Sequence, residues 1–223
     1  ESLLWLKGTE RLPRDRKLVD VCDQGADTFE FFEREVNSGR RFVIRCAYDR
    51  GIFIGHDAPD QSGSSHLRTY ARELPIAGTW TLEVTSRAPD KTPKKKKGKK
   101  KKGKKPATEK VARIARRANM AVSFAPIQIK PPGKKHGVYP DVPLKVWVVR
   151  VWETDPPEGQ ERLEWFLITN EVVETFAAAY RVVGWYEKRW IIEEYHKGKK
   201  TGCQIESPQF TTEERLKPAI ALL

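Results

Sequence analysis

The residues best placed to do chemistry lie in one stretch, Tyr186-Glu187-Lys188-Arg189-Trp190-Ile191-Ile192-Glu193-Glu194-Tyr195-His196-Lys197-Gly198-Lys199-Lys200. Tyr186, Arg189, Glu193, Lys197 and Lys200 follow one another at spacings of three, four, four and three residues. At about 100° per residue all five fall within a narrow arc of a helix. Glu193 then has a guanidinium one turn before it and ammonium groups one and two turns after it. Two readings fit this pattern. As an i,i±4 ladder on a solvated helix it gives ion pairs worth a few tenths of a kcal/mol each. As a site it sets one carboxylate among cations, facing the polyanionic partner that a formal net charge of +12 calls for. The opposite face, Ile191, Ile192 and Tyr195, is apolar, as expected for a helix packed on a protein surface.

A second carboxylate of interest ends an apolar run near the start of the chain. Leu18–Cys22 (LVDVC) leads into Asp23 and then Gln24-Gly25-Ala26-Asp27. This reads as a buried strand, a polar turn and a helix over about 27–37 that buries Phe29, Phe32 and Val36. Asp27 is the expected N-cap, which leaves Asp23 free of that common structural role. Ser38-Gly39 stops the helix and Arg41–Arg45 (RFVIR) is the next strand, so the segment forms an α/β unit. Beyond Cys46 the sequence turns β-rich. Strands are expected over 79–86, 120–129, 144–152 and 164–169, separated by Pro and Gly clusters and paired antiparallel. Helices are expected over 171–184 and 185–198 and again from about 211, and residues 1–8 read as the end of an amphipathic helix.

Composition sets the limits. With 223 residues, 39% hydrophobic and 10% aromatic, the chain can bury a real core. Eleven lysines and no acids lie within residues 91–105, so nearly all the net positive charge sits there and the rest is close to neutral. Two glycines and no apolar side chain in that run predict a disordered loop joining two strands. The three cysteines, Cys22, Cys46 and Cys203, are far apart with no CxxC, so zinc and disulfide frameworks are excluded in favour of small buried thiols. There is no GxGxxG, the string Gly198-Lys199-Lys200-Thr201 lacks the glycine and strand of a phosphate loop, and no apolar run reaches a membrane span.

Taken together, these pieces resemble one family. Tyr186-x2-Arg189-x3-Glu193-x6-Lys200 looks like the signature of the insertion-sequence-four group of bacterial DDE transposases, and Lys197 fills its second basic position. Val21-Cys22-Asp23-Gln24-Gly25-Ala26-Asp27 resembles the strand end that carries that family's second catalytic Asp. Arg45 matches a basic residue that contacts the transposon end. Glu164–Thr169 (EWFLIT) matches the strand before the signature helix, where Trp165 stands at the place of a Trp that stacks on a flipped base. The resemblance runs along essentially the whole chain, least securely through residues 47–107.

The resemblance implies an α/β fold: a partial ribonuclease-H-like catalytic core with an inserted antiparallel β-rich domain. Residues 1–45 would be the first part of the core, 46–170 the insertion with its Lys-rich loop 91–105, and 171–223 the second part. It implies cut-and-paste DNA transposition by phosphodiester hydrolysis and strand transfer, with two Mg²⁺ or Mn²⁺ ions about 4 Å apart. Asp23 and Glu193 would be catalytic metal ligands. Tyr186, Arg189, Lys197, Lys200, Arg45 and Trp165 would contact DNA. The implied partners are double-stranded transposon ends and target DNA and a second copy in a synaptic dimer, with no membrane, in the cytoplasm of a bacterium at its nucleoid. The family's first catalytic Asp lies upstream of the position matching Glu1, and its C-terminal dimerisation segment lies past Leu223. The chain therefore reads either as a piece of a longer enzyme or as an inactive DNA-binding remnant or domesticated derivative.

Overall fold

Runs of β-branched and aromatic residues with apolar side chains on both faces, such as RFVIR and LKVWVVRVWE, make strands that are covered on both sides. They assemble an eight-stranded mixed sheet in a computed structural model that describes residues 8, 13, 17–57, 63–86, 112–133 and 142–202. The parallel part is β1 (Val19–Cys22) against β2 (Arg41–Arg45), joined by the crossover helix α1 (Phe29–Asn37). Every other pairing is antiparallel. β8 (Glu164–Thr169) lies on β2, then come β7 (Leu144–Glu153) and the long β6 (Arg116–Ile129). The outer edge of β6 is shared by β5 (Gly78–Val84) and β3 (Gly51–Ile54), and β3 pairs with β4 (Ser64–His66). The sheet therefore runs unbroken across positions 45 and 170.

Two apolar layers sandwich it. Phe29, Phe31 and Phe32 of α1 and Leu67 and Ala71 of α2 (Leu67–Glu73) pack on one face with Phe42, Ile44, Val146, Val148 and Ile168. On the other face Ala178, Ala179, Val182 and Val183 of α3 (Phe176–Glu187) cover Val43, Val149, Val151 and Leu167. Successive residues of β2 and β7 thus go to opposite layers, as the two-residue repeat of a strand requires.

Several details differ from the sequence reading. The N-cap of α1 is Thr28, whose hydroxyl accepts from the Phe31 N–H, and not Asp27. Asp27 is fully buried. Its carboxylate accepts the N–H groups of Ala47 at 2.6 Å and Tyr48 at 3.0 Å and pairs with Arg50. α3 starts five residues later than expected, at the cap of Thr175 on the Ala178 N–H. The elements β3, β4 and α2 had no forecast. Cys22 and Cys46 are buried thiols, both pushed up to about 12, by burial first and by neighbouring carboxylates second. The 91–105 run, the helix expected from 211 and Cys203 lie outside the described residues, as does most of the helix end expected over 1–8. No helix among the described residues is long and apolar enough to cross a membrane.

Candidate functional site

The carboxyl ends of the parallel strands point to one end of the sheet. Asp23 follows β1 directly and Arg45 closes β2. β8 runs antiparallel to β2, with Arg45 opposite Leu167, so its first residues, Glu164 and Trp165, arrive at this same end. The register is fixed at the other end of β8. There the Thr169 hydroxyl donates to the Phe42 carbonyl at 2.6 Å and the Asn170 Oδ1 accepts the Phe42 N–H at 3.0 Å. Arg41 grips Glu171 with two hydrogen bonds, of 2.5 and 2.7 Å, and lies over the Trp185 ring. α3 then returns along the sheet and brings Tyr186 onto Trp165, with ring centroids 5.8 Å apart and tilted by 58°.

The structure therefore gathers Asp23, Arg45, Trp165, Tyr186 and Arg189 from separate elements. Trp165 is half-buried: it joins the core layer under α3 and also forms a wall of a pocket of about 230 Å³. Arg45, Arg113, Arg162 and Glu164 line the same pocket, whose exposed wall is mainly polar. Arg113 is held there by a bond from its Nε to the Thr85 carbonyl. Glu164 is shared by two arginines, at 2.9 Å from Arg150 and 2.7 Å from Arg72, which holds its carboxyl below the usual range against the opposing effect of burial.

The helix carrying the signature is not the single regular rod that the spacing predicts. α3 ends at Glu187 and α4 (Trp190–Lys197) begins after a tight turn in which Lys188 and Arg189 donate to Trp185 and Tyr186. Arg189 keeps helical angles, φ −56° and ψ −32°, so the chain is interrupted and not reversed. The break falls where α3 reaches the end of the sheet. Beyond it α4 has no buried residue at all, and Ile191, Ile192 and Tyr195 stand open instead of packing. With Val21 and Trp185 they line a groove of about 550 Å³ beside β1.

Glu193 is exposed and bonded to the Arg189 guanidinium. Burial opposes the charge on Arg189, but the Glu193 hydrogen bond and the charges of Glu193, Tyr186 and Asp23 together hold it above its ordinary value. Asp23 is thus close enough to be felt at Arg189, which links the β1 carboxylate to the signature segment. Lys197 pairs with Glu194 at 3.7 Å and not with Glu193. Lys200 lies in the π-helical turn Gly198–Gly202 that follows α4.

Asp23 itself caps the short 3₁₀ turn Gln24–Ala26, with its Oδ1 accepting the Gly25 N–H at 2.8 Å. It therefore holds the kind of cap role expected of Asp27, with its other carboxylate oxygen remaining. The sequence reading missed Arg113, Arg162 and Glu164 as neighbours of Trp165. Only Glu164 had a local signal, being adjacent to Trp165 on the strand. Among the described residues no three His, Cys, Asp or Glu side chains come together as a metal-binding group. No known protein-family model matches the sequence.

Proposed function

We propose that this chain is the DNA-handling core of a cut-and-paste transposase, built on a ribonuclease-H-like sheet, that hydrolyses phosphodiester bonds at transposon ends and joins them to target DNA. One observation carries the reading. Motif pieces scattered from Asp23 to Arg189, each weak alone, converge on one end of one sheet from four separate elements. The parallel β1–α1–β2 unit, continued antiparallel through β8, also agrees with a ribonuclease-H-like core. Asp23 and Glu193 offer hard carboxylate oxygens, the donor class that Mg²⁺ and Mn²⁺ take. The reading also needs a third carboxylate, for which the outer edge of β1, without a partner strand among the described residues, is the fitting place.

Two such cations supply activation of the attacking oxygen and stabilisation of the leaving one. The work of the chain itself is binding and placement. Arg189, Lys197 and Lys200 neutralise phosphates beside the cut, and the Tyr186 hydroxyl donates to one. A phosphate that takes over the Arg189 guanidinium releases Glu193 from its ion pair, so that DNA binding itself frees the second carboxylate. Arg45 steadies the backbone at the pocket mouth, while Trp165 stacks on an extruded base. A dimer on two DNA ends and Mg²⁺ or Mn²⁺ in the site complete the reading.

The test uses the chain with duplex DNA, Fe²⁺ in place of Mg²⁺, and ascorbate, so that a bound ion cuts the nearby polypeptide backbone. Cuts close to Asp23 and to Glu193, competed by Mg²⁺ and lost in Asp23→Asn, are expected. Cuts that ignore Asp23→Asn contradict a metal role for that residue. DNA binding with no cuts at either place favours the alternative, a DNA-binding derivative that does not cleave.

A further inference from the structure

The pocket at the start of β8 holds more positive charge than its acids balance. Arg45, Arg113 and Arg162 line it together, with Glu161 and Glu164 as the acids. Glu164 is already taken by Arg150 and Arg72, and Glu161 is exposed to solvent. Among the described residues Arg45 and Arg162 have no acid partner, and Arg113 uses only its Nε, on the Thr85 carbonyl at 3.0 Å. The crowding is felt at Arg150 beside the pocket. Burial above all, helped by the Arg72 and Arg162 cations, holds it below its ordinary value in spite of Glu164. Guanidiniums gathered in a half-buried place repel one another unless an anion joins them.

The remaining walls decide which anion fits. The Gln160 Oε1 accepts the Ile114 N–H at 3.2 Å, so its amide nitrogen is left to donate. Trp165 supplies an aromatic wall, backed by Tyr186. A phosphodiester carries one charge and two free oxygens, which a single guanidinium can grip bidentately. A phosphomonoester carries close to two charges at neutral pH and has three strong acceptor oxygens, enough to engage three guanidiniums at once. A base attached to it can lie on the indole. The pocket volume, about 230 Å³, is below the roughly 300 Å³ at which sites for drug-sized ligands begin, which limits the ligand to a single nucleotide.

We infer that Arg45, Arg113 and Arg162 form a phosphomonoester cradle, with Trp165 as the seat of the attached base, so that the pocket takes a nucleotide bearing a terminal phosphate. Two sources share that chemistry, the phosphorylated end of a DNA strand and a free nucleoside monophosphate. The first rests on the DNA reading above and makes the base on Trp165 the last nucleotide of a strand. The second does not rest on it. Neither source involves Asp23, Glu193 or a metal ion.

The test compares short single-stranded oligonucleotides of one sequence, labelled on an internal base and carrying a 5′-phosphate, a 3′-phosphate or neither. Binding to the full chain is followed by fluorescence anisotropy in EDTA, which keeps any metal site out of the measurement. One phosphorylated strand should bind about tenfold tighter than the unphosphorylated one. Arg162→Gln, at an exposed position, and Arg113→Gln should each remove most of that preference while the unphosphorylated strand still binds. Equal binding of all three strands by the parent overturns the cradle and leaves the DNA reading standing. A preference that survives both variants overturns it as well. Titration calorimetry with thymidine and adenosine monophosphates separates the sources. Binding of a monophosphate that Arg162→Gln abolishes supports the free nucleotide, even if no oligonucleotide binds and the DNA reading fails. A strand preference without monophosphate binding supports the strand end, and binding of neither probe overturns both readings.

Discussion

Removing Asp27 should destabilise the fold and disturb the carboxyl end of β2 at once. Its buried carboxylate takes two backbone N–H groups, from Ala47 and Tyr48, and pairs with Arg50, whose guanidinium also donates to the Asp27 carbonyl at 3.1 Å. These contacts set the turn that follows Arg45. Asp27→Ala leaves two backbone donors unsatisfied and strands the Arg50 cation, 15% exposed, above the Phe32 ring. Breaking a buried pair from one side costs about 3–5 kcal/mol. For a chain of this size that lowers the melting temperature by roughly 6–20 °C. Arg50→Met, which removes the cation but keeps much of the stem, should cost less. The double variant should recover part of the loss, giving a coupling energy of about 2 kcal/mol or more in a double-mutant cycle. Urea unfolding of the four proteins measures this. A loss below about 1 kcal/mol for Asp27→Ala with no coupling to Arg50 would refute the reasoning.

Three other expectations follow from single contacts. A Cβ at Gly78 would run into the Phe176 ring, so Gly78→Ala should push α3 off β5 and cost about 1–3 kcal/mol in denaturant unfolding. The bidentate Arg116–Glu153 pair, 2.7 Å at each bond, holds the Glu153 carboxyl below its ordinary 4.5. Stability from that pair is present above about pH 4.5 and lost as pH falls, so Glu153→Gln should flatten the acid limb of the melting profile. Trp165→Ala should weaken binding to a duplex with a mismatched end by about 1–3 kcal/mol through lost stacking, measured by anisotropy. An equal drop in melting temperature and in affinity for every DNA would mark Trp165 as core alone.

The apolar strands were legible because their side chains alone decide the outcome. RFVIR and LKVWVVRVW are buried on both faces and have no other stable place. Gly51–Ile54 and Ser64–His66 were not, since four- and three-residue strands are chosen by the strand they pair with, β6 for the first and β3 for the second, and not by their own composition. Asp27 was misjudged because a cap and a buried staple use the same residue type, and the choice depends on Arg50, which lies 23 positions away. The Arg41–Glu171 and Arg150–Glu164 pairs are equally invisible to local reading. For the signature segment, spacing predicts one regular helix, and the structure has two helices and a turn between them. The break at Lys188–Arg189 reflects where the sheet ends, which is a tertiary fact.

The central claim is that Asp23 and Glu193 serve one metal-dependent cut in DNA. It is tested most directly in the reading frame extended upstream of Glu1, by Mg²⁺-dependent nicking of transposon-end DNA beside a gel shift. Glu193→Gln keeps the size of the side chain and removes its charge, while Arg189→Ala removes a phosphate partner and no metal ligand. The account predicts that Glu193→Gln binds DNA ends but does not nick them, and that Arg189→Ala loses binding. Nicking by Glu193→Gln at the parental rate would contradict it and leave the segment as a solvated ladder of ion pairs.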